Sequence, residues 1–262
     1  MLDSVWLMVG VGWPIVFVLM TVLWFIAVAH KNAGYVDLGW VLGLIIMASV
    51  CAIYGPGYPI RKLFMLAMVA LWGARLSSLL IQRFLKDQRE DSRYQKIRQQ
   101  WAAKADFNFF FFFQFQGLLD VVLATPFVLA SLNSHYRLSG FELLGTLIWG
   151  VGVLGESLAD EQLREFKANP QNKGKTCQAG LWYYSRHPNY FFEWLVWLGY
   201  FVFALGSKFG WVSAISPLLM LYFLLNVSGV PLAEEQSLKS RGEAYREYQR
   251  TTSKFVPWMK RK

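Results

Sequence analysis

Seven stretches of this 262-residue chain, at 4–29, 35–54, 60–83, 107–132, 139–160, 189–206 and 210–230, are almost unbroken runs of apolar side chains. Each approaches the ~20 residues that carry a helix across the hydrocarbon core of a bilayer. Lipid offers no hydrogen-bond partner to a backbone N–H or C=O. A chain that crosses it must be helical or a closed barrel. Barrel strands alternate lipid-facing and lumen-facing residues, and these runs do not alternate. The expected fold is all-α, a polytopic integral membrane helix bundle of about seven transmembrane helices.

Charge supplies the orientation. Only 16% of the residues are charged, against about 25% in a soluble domain. A net charge of +9 would suit nucleic acid, but the basic residues lie between the apolar runs, where topology and anionic lipid account for them. No nucleic-acid partner is expected. With the N-terminus outside, the inner segments hold Lys31, the cluster Arg83 to Lys104, the cluster Arg164 to Arg186 and the tail from Lys239, which is 21 of the 26 Lys and Arg. Arg61, Lys62, Arg137 and Lys208 fall outside, and Arg75 falls within a span. The positive-inside rule then predicts N-out, C-in with an odd number of spans. The first run is too long for a signal-peptide core and lacks a basic start, so it reads as a retained span.

Neither a disulfide framework nor a metal site is expected. Cys51 lies in an apolar run and Cys177 in a polar loop, and His30, His135 and His187 form no HExxH pattern. The run "GVGVLG" at 150–155 matches a dinucleotide fingerprint in letters only. That fingerprint needs a preceding strand, and inside an apolar helix small residues serve close packing instead. "NVS" at 226–228 is buried in a span and is not read as a glycan site. The Phe-rich run at 107–116 is expected to face lipid, with Gln114 and Gln116 as candidates to line a cavity.

Ionisable groups inside a span cost several kcal/mol unless paired or wetted, so each is a candidate for function. They are Asp37, Arg75, Asp120, Glu156, Asp160 and Glu193. The alternative for Arg75 is a buried ion pair with Asp37 or Asp120. Glu156, Asp160, Arg164 and Lys167 are spaced four, four and three apart, which places them on one narrow helix face. That face runs from acidic to basic. Carboxylates accept from hydroxyls and amides, and cations pair with phosphates or carboxylates. The plainer alternative is an i,i+4 pair of Asp160 with Arg164.

The stretch "YSRHPNYFFEW" from Tyr184 to Trp194 puts Pro188 where a helix begins. Asn189 and Glu193 then share one face of its first turns. A helix N-terminus beside Arg186 suits an anion. The expected role is capture of a phosphate-bearing ligand by Tyr184, Ser185, Arg186 and His187, with Asn189, Tyr190 and Glu193 fixing its polar atoms. An interfacial aromatic belt would explain Tyr183, Tyr184 and Trp194 but not Glu193.

"GLWYYSRHPNYFFEW", preceded by "ESLADEQLREFK" and followed by "YREYQRTTSKFVPW", resembles the steroid 5-alpha-reductase C-terminal-domain family, and "YVDLGW", "LWGARLS" and "EDSRY" look like its bacterial branch. The resemblance implies NADPH-dependent reduction of an activated carbon–carbon double bond in a lipid, steroid- or sterol-like, isoprenoid or fatty acyl. It implies one transmembrane domain over 1–262, with substrate-side helices in 1–135 and a cofactor-binding half in 136–262. It also implies a bacterial inner-membrane protein with its cofactor site facing the cytoplasm. Residue by residue, Asp160 matches the family's Asp, and Glu156 stands where relatives often have Asn. Lys167 stands where a basic residue approaches the cofactor. Asn189 and Glu193 match the pair that binds the nicotinamide–ribose part. Arg93 is similar to a basic residue near the adenine-ribose phosphate, and Tyr245 and Tyr248 match the aromatic positions before "FVPW". The Gln-Glu pair and the Tyr with which steroid-reducing relatives hold a carbonyl have no counterpart here. That leaves Asp37, Arg75 and Asp120 as candidate catalytic groups of the substrate pocket.

Two other readings compete. "RHPNY" followed by "EEQSLKSRGEAYREY" is similar to the hallmark of isoprenylcysteine carboxyl methyltransferases, which use S-adenosylmethionine. Asp160 with Asn189 and Glu193 weighs against that reading. A non-enzymatic lipid-binding or scaffold protein is the third.

Overall fold

The computed structural model describes residues 2–86 and 89–260. Arg261 and Lys262 of the cationic tail lie outside the described residues. Among the described residues there is no strand. The helices are α1 (Leu2–Ala29), α2 (Tyr35–Tyr54), α3 (Pro59–Lys86), α4 (Ser92–Trp101), α5 (Ala105–Leu123), α6 (Thr125–Ser131), α7 (Gly140–Ala168), α8 (Leu181–Tyr184), α9 (Pro188–Ala204), α10 (Ile215–Tyr222), α11 (Val230–Arg241) and α12 (Glu243–Thr251). Among the described residues, six helical stretches are long and apolar enough to cross a membrane: Leu2–Ala29, Tyr35–Tyr54, Pro59–Leu85, Ser92–Ser131, Gly140–Ala168 and Gly210–Arg241. The chain is therefore a helical membrane protein. The remaining expected span, 189–206, is α9, with 17 residues.

Local chemistry sets the breaks. The expected run 107–132 is two helices, because Pro126 in the first turn of α6 has no N–H to continue the ladder of α5. Asp91 caps α4 by accepting from the Arg93 N–H at 2.9 Å. After α10 the backbone widens into a π-helical turn, Phe223–Val227. The Ser228 N–H there reaches back to the Phe223 carbonyl at 2.9 Å.

The chain forms two compact units. The first comprises Met1–Leu143 and Phe203–Ser216, and the second Leu144–Val202 and Pro217–Lys262. In the first unit, α2 packs on α1, α3 and α5. Met8, Met20, Leu44, Trp72, Phe109 and Phe113 are buried in its core. The Phe-rich run is two-faced: Phe109 and Phe113 are buried, while Phe107, Phe111 and Phe115 point outward. The side-chain amide of Gln114 donates to Thr21 Oγ1 at 3.1 Å and ties α5 to α1.

Arg61, counted above among the outer charges, is only 1% exposed. Its Nε donates to Glu142, its Nη1 to the carbonyls of Asn133 (2.6 Å) and His135 (2.8 Å), and its Nη2 to that of Arg137 (2.8 Å). A buried guanidinium is tolerated when its fork of donors is met in this way.

In the second unit, α7 lies against α9 with almost no space between backbones. A Cβ on Gly152 would fall 2.8 Å from the Val196 nitrogen, and one on Gly199 would fall 2.6 Å from the Trp149 nitrogen. Gly152 and Gly155 of "GVGVLG" thus serve helix packing, as their position in an apolar helix predicts, whereas a Cβ on Gly150 would meet nothing within 4 Å.

Candidate functional site

The second unit carries a column of polar groups between α7 and α9. At its mouth Asn189 Nδ2 donates to Asp160 Oδ1 across 3.4 Å, the long limit for such a bond. At its far end Trp149 Nε1 donates to the Tyr200 hydroxyl at 3.1 Å. These two contacts fix the antiparallel register, which sets Glu156 level with Glu193 one turn below the mouth. Both are nearly buried, at 6% and 7% exposure. Glu193 is held in place by the indole of Trp197, whose Nε1 donates to its Oε1 at 2.9 Å. Arg164 and Lys167 stand on the exposed continuation of α7. The ion pair of Arg164 is with Glu161, at i,i+3. The stripe expected from sequence spacing is therefore one continuous helix face, acidic where it is buried and basic where it is exposed.

Trp149, Trp197 and Tyr200 were not singled out from the sequence. Helical spacing could have found them. Trp197 and Tyr200 lie four and seven residues after Glu193, and Trp149 lies seven before Glu156, so each falls on the face already marked.

The "YSRHP" segment is a clasp. Arg186 Nε donates to Glu234 Oε1 at 2.7 Å, and its Nη1 donates to the carbonyls of Gln249 and Thr252, both at 2.8 Å. The backbone N–H of Arg186 donates to the Ser253 carbonyl at 2.9 Å, next to the isolated parallel bridge of Ser185 with Ser253. Ser185 Oγ donates to the Phe255 carbonyl at 2.8 Å, and Gln249 Nε2 to Glu234 Oε2 at 2.9 Å. The Trp258 N–H donates to the Tyr184 carbonyl at 2.9 Å. Tyr248 donates to the carbonyls of Trp182 and Ser185. Burial pushes the Tyr245 phenol up to about 12 and the Tyr248 phenol higher still. Both are thus proton donors throughout the physiological range. Arg186 donates from Nε to Glu234 on α11 and from Nη1 to the segment that follows it. Glu234, Gln249 and Thr252, the centre of this clasp, lie 48 to 66 residues from Arg186, beyond the reach of any local pattern.

His187 sits inside the clasp, with its Nε2 3.3 Å from Glu234 Oε1 and its ring stacked on Tyr190 at 5.5 Å. Facing a carboxylate, Nε2 carries the proton. Burial pulls the imidazole below the usual histidine range, and the bond to Glu234 only partly opposes it, with Arg186 and Lys254 adding repulsion. The sign follows. The unfolded histidine takes up a proton near pH 6.5, while the folded one resists protonation to lower pH. Stability is complete above that value and declines as the pH falls below it. The thermal midpoint of the parent protein is expected to drop between about pH 7.5 and pH 5.5, and His187→Asn to lack most of that slope. Parallel pH profiles of the two would remove His187 as the responsive group.

The candidates of the first unit divide. Asp37 accepts from Arg93 Nη2 at 3.1 Å and from the Tyr94 hydroxyl at 2.6 Å, and Arg93 Nε donates to Asp91 at 3.0 Å. Arg93 is thus the ion-pair partner of Asp37. Arg75 is half-buried on α3. Asp120 is fully buried on α5, and neither of its carboxyl oxygens hydrogen-bonds to any described residue. It lies flush against Gly43 of α2, where no Cβ would fit. No group of three or more His, Cys, Asp or Glu side chains able to hold a metal ion occurs among the described residues.

With this geometry in hand, the chain can be set beside known proteins. Residues 23–252 match a family described as a protein of unknown function, DUF1295. An uncharacterized protein of Schizosaccharomyces pombe is 28% identical over 281 aligned positions, covering 94% of this chain and 79% of that protein. A probable O-methyltransferase of Ustilaginoidea virens is 32% identical over 80 residues, 30% of this chain and 28% of the relative. No solved structure matches the chain.

Proposed function

The chain belongs to the DUF1295 family, and on that premise we propose that it is a membrane-embedded, NADPH-dependent reductase of an activated carbon–carbon double bond in a lipid. We place it with the steroid 5-alpha-reductase C-terminal-domain proteins. In this reading seven helices cross a bacterial inner membrane N-out and C-in, and the column between α7 and α9 opens to the cytoplasm.

The observation that carries the reading is the contact of Asn189 with Asp160 at the head of a buried acidic column. The donor set fits the group. Asp160, Glu156 and Glu193 accept from a carboxamide and from ribose hydroxyls. Arg164 and Lys167, further along the same helix face, suit phosphates. NADPH supplies a hydride when bound. Asn189 and Asp160 fix its polar end, Trp197 fixes the angle of Glu193, and the close packing of α7 on α9 keeps water from the lower column.

The test is thermal stabilisation in mild detergent. At about a hundredfold excess over Kd, a ligand adds about 2.7 kcal/mol, or roughly 5–10 °C for a chain of this size. NADPH is expected to give that rise in the parent and little in Asn189→Ala, whose unliganded midpoint should change by no more than a few degrees. An equal rise in both would sink the assignment of Asn189.

A second reading has its own support. The clasp joins "RHPNY" and "EEQSLKSRGEAYREY" into one structure through Arg186, His187 and Glu234, and Tyr248 donates to the carbonyl of Ser185 just before the first of these motifs. One relative bears the name of a probable O-methyltransferase. A rise with S-adenosylmethionine and none with NADPH would make the protein a methyltransferase, its acidic column facing a sulfonium.

A further inference from the structure

Three loops of the first unit meet at one end, at 55–58, 132–139 and 205–209. Arg61 assembles them. By taking the carbonyls of Asn133, His135 and Arg137, it turns alternate carbonyls of that loop inward. The N–H groups of Gly57 and Tyr58 take the carbonyls of Ser131 (2.8 Å) and Asn133 (2.9 Å). The side chain of Asn133 donates to the Gly206 carbonyl at 2.9 Å and stitches in the third loop. Between the loops lies a cavity of about 620 Å³, well within the ~300–1,000 Å³ of small-molecule sites.

Its lining has two characters. Pro56, Leu129 and Leu132 make an apolar wall, and Ser207, His135 and Lys208 a polar one. No acidic residue lines it. Lys208 is exposed, its ammonium resting 5.3 Å from the Phe209 ring centre. Ser207 is 8% exposed, and its hydroxyl is buried with no hydrogen-bond partner among the described residues. A buried hydroxyl left unsatisfied costs about 1–3 kcal/mol. The unpartnered hydroxyl and the ammonium of the next residue both belong to the lining, so an acceptor from outside the chain would answer both.

We propose that this cavity binds a phosphate-bearing anion, with Ser207 donating to a phosphate oxygen and Lys208 balancing its charge. The apolar wall, formed at the end of the helix that closes a membrane-crossing stretch, favours a lipid head group with its first acyl carbons over free phosphate. The proposal is independent of the α7–α9 site and of the reaction assigned to it.

The experiment uses the full chain in a maltoside detergent, with three probes and a thermal midpoint. Dihexanoyl phosphatidylglycerol is expected to raise the midpoint saturably. Its affinity is expected to fall at least ~10-fold in Lys208→Glu, which sets a like charge against the phosphate, and to persist in Lys208→Arg. Ser207→Ala should weaken the lipid while leaving the unliganded midpoint unchanged or higher, because it removes the unsatisfied hydroxyl. A saturable rise with inorganic phosphate, equally lost in Lys208→Glu, would support the same site with a free anion as its occupant. An equal rise with dihexanoylglycerol, which has no phosphate, would overturn the proposal. So would a phosphatidylglycerol effect unchanged in Lys208→Glu, or no rise with either phosphate-bearing probe.

Discussion

Arg61→Met is expected to destabilise the protein by about 3–5 kcal/mol, the usual result of stranding one half of a buried ion pair. Glu142 would be left nearly inaccessible without its cation. The carbonyls of His135 and Arg137 would lose the donors found here, each at a further penalty where water cannot reach. Arg61→Met combined with Glu142→Leu should recover about 2 kcal/mol or more of the loss, because the uncompensated charge is gone while the carbonyl penalty stays. A double-mutant cycle on unfolding in detergent measures this directly. If the two single losses simply add, the pair is not coupled, and the loops are held by other contacts.

Arg186→Ala should open the clasp and lower stability by about 3 kcal/mol, since among the described residues Glu234 then keeps His187 and Gln249 as partners. The side chains of Arg186 and Glu234 are 9% and 16% exposed, so solvent screens the pair little. The local readout is trypsin. Cleavage at Arg250 and Lys254 is expected to accelerate strongly in the variant, while the membrane-crossing helices stay protected. Arg186→Lys should not restore protection. A single ammonium cannot reproduce a fork that serves Glu234 and two carbonyls at once. Full protection in Arg186→Lys would mean that charge alone holds the tail.

Much of the fold was legible because lipid imposes one rule along each segment. The expected run 35–54 coincides with α2, Tyr35–Tyr54, since nothing but length and apolarity decides it. The run 139–160 stops short of α7, which continues to Ala168. The extra turns are charged and helical, and hydropathy registers only the apolar part. The break before Pro126 was visible in the letters, but an apolar window averages over it. The candidate site divides in the same way. Asp160, Glu156, Asn189 and Glu193 announced themselves as polar groups at helical spacing in an apolar setting. Their meeting across α7 and α9 follows once the glycines bring the two helices together. The pairing of Arg61 with Glu142 was not legible. Arg61 looks like an ordinary charge beside a span, Glu142 like an acid in a first helical turn, and only packing 81 residues apart joins them. The partners of Arg186 were hidden for the same reason. A sequence shows which side chains need company, and the tertiary fold shows which company they find.

The clasp also sets an order of events at the ribosome. The Thr252 carbonyl that Arg186 needs is made 66 residues after it, roughly 3–13 s later at ~5–20 residues per second. During that interval α9 leaves the translation machinery with its cationic entrance unengaged, and the remaining membrane stretch must be placed before the tail can return to it. Closure over Arg186 therefore waits until residue 252 has been made. A chain stalled or cut before residue 252 would sit in the membrane with its helices in place and its entrance unlatched, a state that quality-control proteases could tell from the finished protein.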